Sequence, residues 1–218
     1  MDKAENFWDR QANSFDNQDE EPDSATRKTV ECIKKYLNSD DTVMDYACGT
    51  GPMGLAVASQ VQEVYVVDIS SKMLDIAKRK ASERQIENIQ FGQTTLFDAR
   101  FSPESFDMVL AFNILHLLEN PRDAIFRINE LLKPGGIFIS SSACMGEKGK
   151  FLGTFLTLLS KIGVAPHVNK FTVAELEELI STGNFQMIES ETSTQQVTEI
   201  FVVAKKTDSL GIHGVAYN

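Results

Sequence analysis

Two carboxylates and a pair of glycines are the residues of this chain best suited to hold a ligand. Asp45 stands near the end of the apolar run Thr42-Val43-Met44-Asp45-Tyr46, and Gly49-x-Gly51 follows within six residues. Asp68 closes the next apolar run, Glu63-Val64-Tyr65-Val66-Val67-Asp68. Glycines at 49 and 51 remove side chains where the backbone must bend and approach a ligand closely. Pro52 falls at a first helical position, where its missing N–H costs nothing. An acid at the tip of the second strand can accept hydrogen bonds from both hydroxyls of a ribose. The longer pattern Gly49-x-Gly51-x-x-Gly54 also fits a dinucleotide loop, in which a pyrophosphate meets the helix N-terminus. Asp45 argues against that use, because a carboxylate there adds negative charge beside a diphosphate. The two acids suit a nucleoside that is positively charged and free of phosphate. A nicotinamide-dependent oxidoreductase built on the same loop is the alternative.

A third candidate is His116, in Phe112-Asn113-Ile114-Leu115-His116-Leu117-Leu118. This segment follows a strand, where open parallel sheets bind their ligands. An imidazole there could orient an acceptor or act as a general base, since its ordinary pKa lies near working pH. The plainer reading is a packed histidine that orders the loop.

The run Val43-Met44-Asp45-Tyr46-Ala47-Cys48-Gly49-Thr50-Gly51 resembles the first motif of class I S-adenosylmethionine-dependent methyltransferases. It is closest to the small-molecule group of the ubiquinone/menaquinone-biosynthesis type. Phe7-Trp8-Asp9…Ala12…Phe15-Asp16 is similar to the opening of the same group, and Leu131-Leu132-Lys133-Pro134-Gly135-Gly136 is another of its features. The charge argument agrees, because S-adenosylmethionine carries an ammonium and a sulfonium and no phosphate. The resemblance implies that the Gly49–Gly51 loop backs the methionine moiety beside Asp45, and that Asp68 holds the ribose. Ile69 and Met73 would flank adenine. The backbone from Ala111 to Asn113 would face the amino group, and Phe15 would lie over the sulfonium, a place where an aromatic face favours a cation. His116 occupies a position where many members also have His. Where members often carry a Gly-Asp pair for adenine, this chain has Thr94-Thr95, so Thr95, Leu96 and Asp98 are all candidates for that contact. The implied reaction is methyl transfer to a small-molecule acceptor, leaving S-adenosylhomocysteine. A non-catalytic binding protein that keeps the cofactor fold is a second alternative.

These residues need strands to carry them. Alternating and apolar runs predict strands at 42–46, 63–68, 88–92, 106–112 and 137–142, with helices between them. Residues 24–37 predict a helix with Val30, Ile33 and Leu37 on one face. Ser70 or Ser71 caps another, and Thr172 caps a third whose first turns carry Glu175, Glu177 and Glu178. Runs at 185–191 and 197–205 predict a final antiparallel pair. The expected fold is α/β and Rossmann-like: a class I methyltransferase sheet of seven mostly parallel strands, with helices on both faces. The expected organisation is an N-terminal lid at 1–21, one domain at 22–206 and a tail at 207–218. Within the domain, 151–182 is expected to form a helical cap on the acceptor side.

The net charge of −10 repels a phosphate backbone and makes nucleic acid a poor partner. Three scattered cysteines with no CxxC pair form no disulfide framework and suggest no metal site. The polar N-terminus lacks a signal-peptide apolar region, and no run reaches membrane-spanning length. The expectation is a cytoplasmic protein, a monomer or homodimer, with a small-molecule acceptor as its partner.

Overall fold

The structure, a computed structural model, describes residues 3–16, 24–146, 167–193 and 198–207. A seven-stranded sheet organises it, in the order β3-β2-β1-β4-β5-β7-β6. The strands are β1 (Thr42–Tyr46), β2 (Glu63–Asp68), β3 (Ile89–Gln93), β4 (Phe106–Phe112), β5 (Leu132–Cys144), β6 (Phe185–Ser193) and β7 (Thr198–Lys206). β1 to β5 pair in parallel, and β7 runs antiparallel to both of its neighbours. The order therefore reverses at β1, between β2 and β4, where such sheets leave a crevice at their carboxyl ends. Because β7 alone is reversed, its first residues lie at that same edge.

The alternation of strand side chains divides the core into two layers. Met44, Tyr46, Val109 and Phe138 face one side, where α5 (Pro121–Leu131) and α6 (Val173–Thr182) bring Ile125, Ile128, Leu176 and Ile180. Val43, Val64, Leu110 and Ile139 face the other side, covered by α2 (Ser24–Lys34), α3 (Pro52–Val57) and α4 (Ser71–Glu83) through Ile33, Val57 and Leu74. Burying each such aliphatic side chain contributes roughly 1.5–3 kcal/mol. The first helix, α1 (Lys3–Asp16), lies against α4.

Local signals act where the sequence places them. Ser70 accepts from Met73 N and caps α4, and Thr172 and Glu175 form a capping box on α6. Asp107, at the start of β4, accepts from Thr42 N at 2.8 Å and is bridged by Lys133 Nζ at 2.7 and 2.9 Å. The residues Lys133-Pro134-Gly135-Gly136 do not separate helix from strand as a loop. They lie within β5, across a register shift between Phe106 and Met108 on β4.

Of the expected cap at 151–182, Val173–Thr182 belongs to the layer that covers the sheet, with Leu176 and Ile180 in the core. Residues 151–166, residues 17–21 of the expected lid and the tail from 208 lie outside the described residues. Among the described residues, no helix is long and apolar enough to cross a membrane.

Candidate active site

The carboxyl edge of the sheet opens into a cavity of about 1630 Å³. Ligand sites usually measure roughly 300–1,000 Å³, so this one has room for a nucleoside and a second molecule together. Its floor is made by the ends of β1, β2 and β4, and its roof by α1 and α2.

Asp68 is 7% exposed and is held by two backbone donors. Gly49 N donates to its Oδ2 at 2.9 Å and Ser70 N to its Oδ1 at 2.8 Å. The carboxylate also lines the cavity, where a diol could bind beside it. Burial raises its pKa, while the backbone donors pull the other way. Gly49 has φ +57°, and a Cβ built there would meet nothing within 4 Å. Open space above an anchored carboxylate is the geometry that a ribose and its attached chain require.

Asp45 also has a structural role. It shares the α3 face of β1 with Val43, and its Oδ2 accepts from Gly54 N at 2.8 Å. It therefore caps α3 from the strand. Gly54 is needed for this: a Cβ there would lie 2.9 Å from both Asp45 Oδ2 and Val66 Cγ2. Asp45 still lines the cavity. Burial pushes its pKa up to about 7, with the Gly54 N–H opposing and Asp68 adding to the rise.

The expected residues divide. Phe15, Asp45, Gly49, Asp68, Ile69, Met73, Thr95 and Asn113 all line the cavity. Gly51 does not: its φ of +81° starts α3, and a Cβ there would lie 3.1 Å from Ala77 Cβ on α4. Leu96 and Ala111 are fully buried in the core beneath α5, so their side chains turn away from the cavity, which for Ala111 leaves the backbone contact expected of it untouched. Asp98 is taken up by Arg100 and by the Thr94 hydroxyl, at 2.7 Å from the latter. Of the three adenine candidates, Thr95 is the one at the cavity.

His116 is the main correction. The 3-10 turn Leu115–Leu117 aims Leu115 and His116 inward and leaves Leu117 on the cavity. His116 is 8% exposed, and burial lowers its pKa to about 4. Its Nδ1 has no partner among the described residues. The ring lies off the cavity lining. The turn is fixed by Asn169, whose N donates to His116 O at 2.7 Å and whose Nδ2 donates to Leu118 O at 2.6 Å. His167, next to Asn169, is the histidine at the cavity.

Phe7 and Trp8, within the expected N-terminal lid, join Phe15 in the roof, with Phe7 and Trp8 edge to face at 5.0 Å. Polar bonds fasten this helix: Ser70 Oγ donates to Asp9 at 2.6 Å, and Arg79 donates to Asp16 at 2.7 and 2.8 Å. Ala47 and Asn113, both at the cavity, have φ of +53° and +55°. Non-glycine residues rarely adopt that conformation, and Asn tolerates it better than Ala. Other parts of the site had no counterpart among the expected residues. The far end of the cavity is built from Phe112, Ser141, Glu199 and Phe201. The i, i+2 spacing of Glu199 and Phe201 could have signalled a shared face. Their place at the ligand edge followed only from the reversal of β7.

A family model described as a methyltransferase domain matches residues 37–205. The uncharacterized methyltransferase YcgJ of Bacillus subtilis is 28% identical over 154 residues, covering 71% of this chain and 58% of that protein. Its crystal structure superposes with a TM-score of 0.69 at 19% identity, covering 84% of this chain and 99% of the solved one. The ubiquinone biosynthesis O-methyltransferase of Pasteurella multocida is 31% identical over 109 residues, covering 46% of this chain and 45% of the relative. A 1,6-didemethyltoxoflavin-N1-methyltransferase from Burkholderia thailandensis, solved with its substrate and S-adenosylhomocysteine, superposes with a TM-score of 0.67 at 20% identity. It covers 85% of this chain and 79% of that one. The chain spans about half the length of the two curated relatives.

Proposed function

The chain belongs to the methyltransferase domain family, of the class I S-adenosylmethionine-dependent type, and on that premise we propose that it methylates a small molecule. The family membership displaces the nicotinamide alternative. S-adenosylmethionine is the cofactor, and when bound it supplies an activated methyl group on a sulfonium leaving group. The observation that carries the reading is Asp68, anchored by Gly49 N and Ser70 N beneath open space in a cavity large enough for two ligands.

The chain's own residues divide the work. Asp68 would hold the ribose, and Ile69, Met73 and Thr95 would border the base. Asp45 and the 47–50 loop would back the methionine end, where Asp45 also fixes the start of α3. The aromatic roof of α1 would exclude water from the reacting atoms. Catalysis would then come from alignment: effective molarities of positioned groups reach roughly 10⁵ M or more, and no described histidine is required as a base. A small acceptor is supported by a cavity of limited volume and by relatives such as the one named for ubiquinone biosynthesis O-methylation.

Calorimetric titration with S-adenosylhomocysteine tests the reading. The wild type should bind it, and Asp68→Asn should bind at least about tenfold more weakly with an unchanged circular dichroism spectrum. Wild-type protein that binds NAD but not S-adenosylhomocysteine would overturn the assignment.

A further inference from the structure

The end of the cavity farthest from Asp68 has its own chemistry. Sheet register places Phe112 beside Ser141, Ser141 beside Phe201, and Phe201 beside Glu191, in one row across β4, β5, β7 and β6. All four residues line the cavity. The rings of Phe112 and Phe201 are stacked, with centroids 6.5 Å apart and planes inclined at 27°. One step nearer the rim on the same face, Glu199 also lines the cavity, and the Ser141 hydroxyl donates to its Oε1. That bond leaves Oε2 and further lone pairs available.

Lys3, Lys28 and Lys35 also line the cavity, and none of them forms an ion pair with Glu199. Lys28 pairs with Glu191 at 3.4 Å, and the charge of Lys35 acts on Glu189. Among the described residues, no basic side chain forms an ion pair with Glu199. A carboxylate fixed by a serine, beside an aromatic wall, is a receptor for an organic cation. The carboxylate supplies charge and an acceptor, and the ring faces supply an attraction specific to cations.

We propose that the methyl acceptor is an organic amine, held as its ammonium by Glu199 against the Phe112–Phe201 wall. The ammonium is the handle by which the molecule is bound. The proposal rests on the methyl-transfer reading and adds the acceptor class to it. Anionic acceptors of the same size are disfavoured at this end of the cavity, because Glu199 and Glu191 both present negative charge there.

Two probes of matched size and opposite charge test it: phenethylamine and 3-phenylpropionate. Each is titrated calorimetrically into the full chain loaded with S-adenosylhomocysteine. Wild type should bind phenethylamine about tenfold or more tightly than 3-phenylpropionate. Glu199→Gln should abolish that preference and leave the affinity for S-adenosylhomocysteine unchanged, which also shows that the variant is folded. Equal affinities in the wild type, a preference for the anion, or no binding of either probe at millimolar concentration would overturn the proposal. So would a preference that survives Glu199→Gln. Each of these results with S-adenosylhomocysteine still bound leaves the methyltransferase reading in place. Failure of S-adenosylhomocysteine itself to bind is the distinct sign that the underlying reading is wrong.

Discussion

At the residue scale, one backbone angle and two buried titratable groups carry consequences that can be measured. Ala47 holds φ +53° in the loop between β1 and Gly49. The left-handed region costs an L-residue roughly 1–2 kcal/mol, and glycine gives back about 0.5–1 kcal/mol of that through chain entropy. Ala47→Gly should therefore stabilise the protein by about 0.5–1 kcal/mol in urea unfolding, and the β-branched Ala47→Val should destabilise it. Asp45 and His116 make opposite contributions to acid stability. The Asp45 carboxyl is raised from 3.8 to about 7, so the folded chain holds a proton that the unfolded chain releases. Its contribution is present at acid pH and is lost as pH rises from about 4 to 7. His116 is lowered from 6.5 to about 4, so the unfolded chain takes up a proton that the folded chain refuses. Its contribution is present above about 6.5 and is lost as pH falls towards 4. The two slopes offset each other in the wild type. His116→Gln should remove the second, and its stability should fall less between pH 6.5 and 4, by on the order of 2–3 kcal/mol. Asp45→Asn should remove the first. An unchanged pH profile in either variant would mean that the group titrates as it does in water.

At the scale of elements, α1 is the part whose attachment can be separated from the fold. It docks on α4 through Asp9 and Asp16, and its contribution to the described core is Ala12. Exposed ion pairs such as Asp16–Arg79 contribute little, whereas the Asp9–Ser70 bond sits partly buried at the start of α4. Asp9→Ala should loosen α1: proteolysis within residues 3–16 should speed up while the midpoint of global unfolding moves little. Trp8, the one tryptophan of the chain, lines the cavity. Its fluorescence should respond to S-adenosylhomocysteine in the wild type and respond less in Asp9→Ala. An equal response in both would separate α1 from the ligand and remove its role as a roof. The amphipathic, aromatic pattern of α1 was visible in the sequence, but its docking site on α4 depends on contacts more than sixty residues away.

For the whole molecule, binding should be visible as stability. A ligand present at a hundredfold its Kd adds about 2.7 kcal/mol to a protein that binds it only when folded. For a chain of this size that raises the midpoint of thermal unfolding by roughly 5–10 °C. S-adenosylhomocysteine should produce such a shift and NAD should not. The strands, their mostly parallel arrangement and the acids and glycines at the tips of β1 and β2 were legible in the sequence, because apolar runs, glycines and strand-end acids are local signals. Asp68 could be placed at its strand tip that way, since a strand-tip carboxylate needs only its own neighbours to be placed. Between a packed and a reactive His116 the sequence left the choice open, and it did not single out the bond from Asp45 to α3 or the burial of the Leu96 side chain. Each depends on which face of a turn or strand another layer covers, and that is fixed only when the layers pack. The far end of the cavity is the clearest case. Glu199, Phe201, Ser141 and Phe112 come from distant parts of the chain, and they become one surface only through strand register and the reversal of β7.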